Sequence, residues 1–160
     1  MSANDLEAVM AVQAACYPPA MQEPAAIVLA RMQSAPDSCL VAVDAGGVCG
    51  YLFAYPSRLG AVTSLDAPFA PSAQPDTLYL HDLAIAPRAH GRGIARKLVA
   101  RMLAHARALG IGASSLVSVQ DTAAFWFSLG YREGVLACPQ ARAALARYPG
   151  TARYMRRALD

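Results

Sequence analysis

TLYLHDLAIAPRAHGRGIARKL, residues 77–98, decides how this chain is read. Thr77 to Ile85 alternates and clusters apolar residues as a buried strand does. Pro87 punctuates it, and Gly91-Arg92-Gly93 then runs straight into an amphipathic segment beginning at Ile94. A strand, a glycine turn and a helix start in that order form an anion cradle. Glycine lets the main chain approach a phosphate, and the unpaired N–H groups of a helix's first turn point at it with the positive end of the helix dipole behind them.

Two common nucleotide motifs do not fit the stretch. The dinucleotide fingerprint G-x-G-x-x-G needs a third glycine where Arg96 stands, and a P-loop needs G-K-[ST], which is absent. An oxidoreductase or kinase built on either motif is disfavoured.

Working outward, Ile94 to Leu109 reads as a helix with Leu98, Val99, Met102, Leu103 and Ala106 on one side and Gly110 closing it. Cys39 to Val43 and Val48 to Tyr55 are apolar runs joined by Asp44-Ala-Gly-Gly47, a β-hairpin pattern. Two helices precede them. The first is capped by Ser2 or Asn4 and ends before Pro18; the second starts near Glu23-Pro24 and stops at Pro36-Asp37. Pro56 to Asp76 is a long proline-rich loop, the length expected of a lid or binding loop. Ser114 to Val119 is a strand, Asp121 caps a short helix through Leu129, and Tyr131 to Ala137 and Ala152 to Leu159 read as two final strands. The order α-α-β-β-β-α-β-α-β-β predicts an α/β (α+β) fold, a mixed, mostly antiparallel sheet flanked by helices, in a single domain over residues 1–160.

Composition narrows the function. With 56% hydrophobic and 16% charged residues over 160, the chain suits a globular fold with a proper core. A net charge of +3 is too mild for a nucleic-acid binder. Cys16, Cys39, Cys49 and Cys138 form no C-x-x-C pair, so no metal site is expected, and reduced buried thiols are the simpler reading. The N-terminus lacks the basic and apolar regions of a signal peptide, and no apolar run reaches the roughly 18 residues a membrane span needs. The expectation is a cytoplasmic protein with no membrane or nucleic-acid partner.

Ile85-Ala86-Pro87 followed by His90-Gly91-Arg92-Gly93-Ile94-Ala95 resembles the coenzyme A motif of the GNAT N-acetyltransferases, Q/R-x-x-G-x-G/A after a strand ending V-x-P. Phe125-Trp126-Phe127-Ser128-Leu129-Gly130-Tyr131 is similar to that family's F-Y-x-x-L-G-F. The resemblance covers most of Val41 to Tyr131. It departs at His90, where Gln or Arg is usual, and at the front, where relatives carry a strand before the first helix.

The resemblance implies the GNAT acyl-CoA N-acyltransferase fold and acetyl-CoA as cosubstrate, without a metal. The backbone of Leu83, Ala84 and Ile85 would pair with the pantetheine amides. The N–H groups of Gly91, Arg92, Gly93, Ile94, Ala95 and Arg96 would hold the diphosphate, with His90 as a further donor. Arg88, Arg92, Arg96 and Lys97 would offer charge to the 3′-phosphate, or else form a solvated helix face. Some relatives are dimers, and the last strands would serve a homodimer here.

Acetyl transfer to an amine requires a base for the ammonium proton, a donor for the developing oxyanion and a proton for the leaving thiolate. Leu80-His81-Asp82-Leu83 is similar to a strand of arylalkylamine N-acetyltransferases that carries two histidines, placing His81 on the second and Tyr79 on the first. His81 is the preferred base, because imidazole titrates near working pH; a strand histidine satisfied by a backbone carbonyl is the alternative. Asp82 comes second, since an unbroken pleat turns it to the opposite face and only a bulge would bring it round. The Ile85 N–H is the expected oxyanion donor. Trp126 stands where the family keeps its proton-donating tyrosine, and an indole cannot protonate a thiolate. Tyr79 is a substitute donor, and Tyr131 is expected to be core. Tyr17, Met21, Tyr55, Asp66, Phe69 and Tyr148 are the candidate acceptor-site residues, with Asp66 or Asp82 as an ammonium partner. The expected activity is acetyl transfer to a primary amine of a small molecule, peptide or protein. A non-catalytic acyl-CoA-binding regulatory module is the alternative that Trp126 and Tyr79 leave open.

Overall fold

The computed structural model describes residues 1–159. One six-stranded sheet organises the molecule. Its strands are β1 (Cys39–Asp44), β2 (Gly47–Ser57), β3 (Thr77–Ile85), β4 (Ala113–Ser118), β5 (Arg132–Glu133) and β6 (Arg153–Ala158), in the spatial order β1-β2-β3-β4-β6-β5. Every neighbouring pair is antiparallel except β3 with β4, which run parallel because the helix α3 (Ile94–Ala108) carries the chain back between them.

The sheet is covered on both faces. On one lie α1 (Leu6–Cys16) and α2 (Ala25–Ser34), whose Val9, Val12, Val28 and Met32 pack on Tyr51, Phe53, Tyr55 and Tyr79. On the other lie α3 and the short helix α4 (Ala123–Ser128). There Leu98, Val99, Met102, Leu103 and Ala106 meet Leu52, Leu78, Leu80, Leu116 and Met155. These five α3 residues are the face that the 3.6-residue period selects. Alternate residues of β2 and β3 feed opposite layers, so the central strands are buried on both sides.

Two expectations for the second half of the chain need correction. Tyr131 to Ala137 is not a full strand. Only Arg132–Glu133 pairs with β6, and Gly134 already lies against the Tyr154 ring, where a Cβ would come within 2.9 Å. A helix α5 (Pro139–Leu145) follows, with proline in its first turn as helices tolerate. Asp121 does not cap α4: Gln120 and Asp121 both take positive φ, and Thr122 occupies the cap position. Among the described residues no strand precedes α1.

The long loop 58–76 starts two residues later than expected, because β2 keeps pairing through Pro56 and Ser57 with Leu78 and Thr77. It is pinned rather than loose. Phe69 stacks on Tyr55 at 4.5 Å, and the Tyr148 hydroxyl donates to the Thr63 carbonyl.

Candidate active site

The parallel pairing of β3 and β4 stops at Leu80 with Leu116. Beyond that point the strands separate, and a cavity of about 490 Å³ opens between them. The separation leaves part of β3 without a neighbour. Ala86 donates to Cys49 of β2, so by the alternation of an antiparallel ladder Leu83 and Ile85 turn their N–H and C=O groups to the open side. Side chains reach both carbonyls there: Tyr17 approaches Leu83 O, while Cys16 and His90 approach Ile85 O. Ala84, named with them, turns towards β2 instead, its carbonyl close beside Gly50.

The glycine turn closes one end of the cavity. Gly91 and Gly93 have φ of 74° and 72°, a left-handed backbone that favours glycine. Gly93 caps α3 without any side-chain bond, and the Lys97 N–H donates back to Gly93 O to open the helix. The N–H groups of the preceding first turn are left to face the cavity's end. His90 donates from Nε2 to Ile85 O at 2.7 Å, so the histidine at the Gln/Arg position ties the turn to the strand end.

Of the expected cofactor residues, Leu83, Ile85, His90, Gly91, Gly93, Ile94, Ala95 and Arg96 line the cavity; Ala84 and Arg92 do not. Arg92 and Arg88 both grip Asp44 at the end of β1, Arg92 at 2.6 Å and Arg88 at 2.8 Å. Their guanidinium groups, Arg88's first, hold the Asp44 carboxyl well below the usual carboxylate range. Arg96 instead lies over the Phe125 ring and donates to Ser128 Oγ.

The His81 end of the cavity is shaped by a break in register. Phe53 pairs with Asp82 but Ala54 pairs with Leu80, so His81 has no partner on β2. This bulge brings His81 and Asp82 to the same face, contrary to the alternation of a regular pleat. Asp82 accepts from Tyr17 at 2.6 Å and from Tyr51 at 2.7 Å. Burial pushes its carboxyl up, and the two tyrosines pull it part of the way back.

The His81 side chain is 1% exposed. The Phe69 ring meets it edge-on at 5.4 Å, and its Nε2 lies 3.4 Å from Glu23 Oε2. Glu23 is gripped by both arms of the Arg31 guanidinium. Burial would raise the Glu23 carboxyl, but bonds from His81 and Arg31 hold it down to about 2. Neither Glu23 nor Arg31 stands out in the sequence. Glu23 is read there as the start of a helix, and Arg31, which the structure buries on α2 with Val28 and Met32, carries no local sign of its partner.

A second hollow of about 30 Å³ continues from the cavity past His81 and Asp82, bounded by Tyr17, Met21, Glu23, Leu65 and Tyr148. Of the expected acceptor residues, Tyr17, Met21 and Tyr148 reach it. Tyr55 and Phe69 are core packing, and Asp66 is exposed. Tyr79 is fully buried and lines neither space; burial, then the neighbouring Tyr148 and Tyr55, push its hydroxyl far above the ordinary range. Tyr131 is likewise core, its hydroxyl bonded to Ser114. Trp126 lines the large cavity.

The model of the Acetyltransferase (GNAT) family matches residues 6–131, and the chain belongs to that family. Its fold is that of the GNAT acetyltransferases of known structure. It is similar to a GNAT-like decarboxylase, GphF, in complex with isobutyryl-CoA, at 21% identity over 100% of this chain and 97% of that one, with a TM-score of 0.81. It is similar to the ribosomal-protein-S18-alanine N-acetyltransferase from Escherichia coli, at 15% identity over 100% and 91%, TM-score 0.68. The PaiA N-acetyltransferase of Thermoplasma acidophilum in complex with coenzyme A shares 15% identity over 99% and 95%, TM-score 0.67. No curated protein matches the chain. No helix among the described residues is long and apolar enough to cross a membrane.

Proposed function

We propose that this chain moves an acetyl group from acetyl-CoA to a primary amine, of a small molecule or of a peptide or protein, by direct attack in a ternary complex. The observation that carries the reading is the cavity between the parted strands, with the Gly91–Gly93 turn at one end and His81 at the other. Coenzyme A would bring an activated thioester. The residues fit it: Leu83 and Ile85 expose strand hydrogen-bonding groups, and the first turn of α3 offers free N–H donors under two glycines in the left-handed region.

His81 is the base for the amine proton, directly or through one water. Asp82 lines the small hollow beside His81 and is the carboxyl offered to an ammonium acceptor, since the Glu23 charge is balanced by Arg31. The Ile85 N–H is the oxyanion donor. The thiolate proton does not come from Trp126. Tyr79 is enclosed in the core, whereas Tyr17 lines both spaces with its hydroxyl between Asp82 and the Leu83 carbonyl, which supports Tyr17 in that role.

Two other readings meet specific observations. Trp126 in place of tyrosine favours a non-catalytic acyl-CoA-binding module. The likeness to a GNAT-like decarboxylase raises loss of CO₂ from a carboxyacyl-CoA as the other reading. The test is an amine-panel acetylation screen read by mass spectrometry, with acetyl-CoA and malonyl-CoA as donors. Acceptor-dependent acetylation supports transfer. Binding of acetyl-CoA without turnover supports the module, and CO₂ release without acceptor supports decarboxylation.

A further inference from the structure

We propose that Glu23 and Arg31 are positioning residues that set the tautomer of His81, keeping the proton on Nε2 and leaving Nδ1 as the accepting nitrogen. The proposal rests on the reading of His81 as the amine base, and it assigns which ring nitrogen does that work.

The bonding around Glu23 leaves little choice. Oε1 accepts from Arg31 Nη2 at 2.6 Å and from the Asp66 N–H at 2.9 Å. Oε2 accepts from Arg31 Nη1 and faces His81 Nε2 at 3.4 Å. An ionised carboxylate only accepts, so the nitrogen facing it carries hydrogen. In a neutral ring the other nitrogen then holds the lone pair. That other nitrogen, Nδ1, is buried and has no partner among the described residues. A buried ring nitrogen without a partner carries a desolvation cost, tolerated where function uses the atom. His81 is among the residues that line the large cavity and the small hollow, with its side chain 1% exposed, so a proton reaches Nδ1 only from a group or water seated against the ring.

Arg31 makes the device work. A buried glutamate alone would take up a proton and lose its preference for a donor. The Arg31 fork keeps Glu23 ionised, and Arg31 is itself fixed by donating from Nε and Nη2 to the Ala67 carbonyl. The same contacts draw loop 58–76 over the site: Asp66 holds a φ of 60° while its N–H bonds Glu23. Of the other titratable groups beside His81, the Tyr79 ring stands 6.2 Å away, centroid to centroid. Asp82 is engaged by Tyr17 and Tyr51, and Tyr148 by the Thr63 carbonyl. The logic is that of a carboxylate orienting a catalytic imidazole.

The tautomer is read by ¹⁵N NMR of histidine-labelled free protein at about pH 8, where imidazole is ordinarily neutral. There are 3 histidines, and the His81 signals are those lost in His81→Ala. A protonated Nε2 with bare Nδ1 is expected; a protonated Nδ1, in either the other neutral tautomer or a persisting imidazolium, overturns the proposal. In Glu23→Gln the amide oxygen at the Oε1 place still accepts from Arg31 Nη2 and the Asp66 N–H, and the NH₂ is turned towards Arg31 Nη1 and His81. A shift of the proton to Nδ1 is expected, with kcat lowered about 100-fold and the KM for acetyl-CoA nearly unchanged. A folded Glu23→Gln protein with unaltered tautomer and kcat overturns it. Should that variant not fold, the wild-type spectrum still decides. The spectrum needs no turnover, so failure to acetylate any amine would count against the base role of His81 and not against its orientation by Glu23.

Discussion

The Tyr51 hydroxyl, on β2, donates to Asp82 Oδ2, on β3, at 2.7 Å. The bond crosses the strand pair diagonally, and it exists because the register break at His81 turns Asp82 onto the tyrosine face. Burial raises the Asp82 carboxyl above the ordinary range. The native state therefore holds that proton to higher pH than the unfolded chain does, and the stability Asp82 contributes declines as pH rises past its unfolded value. Tyr51→Phe removes a donor to the charged form. The variant is expected to lose about 1.5–3 kcal/mol at neutral pH and distinctly less near pH 4. Urea melts at the two pH values check this; an equal loss at both would show that Asp82 does not feel the hydroxyl.

Glu23 has the opposite sign. Its carboxyl is held at about 2, below the ordinary 4.5. The stability from its bonds to Arg31 and His81 is present above the unfolded value and is lost as pH falls through the folded one. The wild-type Tm should drop between about pH 5 and pH 2, and Glu23→Gln should lack that part of the slope while starting lower, because it leaves the Arg31 charge buried without its partner. Parallel slopes for the two proteins would contradict the ion pair.

His81→Ala should lower kcat by roughly 10- to 100-fold, with acetyl-CoA affinity little changed, since the side chain lies at the far end of the cavity from the glycine turn. Steady-state kinetics with calorimetry separates the two quantities. A normal kcat with an unshifted pH profile removes His81 from the chemistry.

Gly93→Val tests the cradle. A Cβ at Gly93 would touch nothing within 4 Å, but the φ of 72° is strained for a β-branched residue. The turn must shift, and with it the N–H groups that start α3. A loss of CoA affinity of at least about 10-fold is expected by calorimetry; wild-type affinity would refute the diphosphate site.

Arg92 and Arg96 should behave differently although both belong to the glycine motif. Arg92 is half exposed and spent on Asp44, so Arg92→Ala should change CoA affinity less than about 3-fold. Arg96 lines the cavity, and Arg96→Ala should weaken binding about 10-fold. The reverse order would mean that Arg92 leaves Asp44 when CoA binds.

Much of the frame is local and so was legible in residue order. The strand Thr77–Ile85 runs where its apolar pattern places it, and α3 begins at Ile94, directly after the glycine pair. The apolar face of α3 follows from its period alone. α5 carried a readable signal in Pro139 followed by helix-forming Ala, Arg and Leu, but the β-rich appearance of the preceding residues masked it. The catalytic end is another matter. Nothing local announces that His81 drops out of register with β2, because a bulge is a relation between two strands. Nor does Glu23 at a helix start, or Arg31 within α2, announce a partner.

By itself, then, residue order determined the strand–turn–helix cradle and the layers that carry it, because periodicity and glycine conformation act over a few neighbouring residues. Only the folded chain decided that His81 and Asp82 share one face, that Arg92 belongs to Asp44, and that Glu23 with Arg31 stands behind His81. Those pairings join segments far apart in the chain, and burial makes each charged group find its partner across that distance.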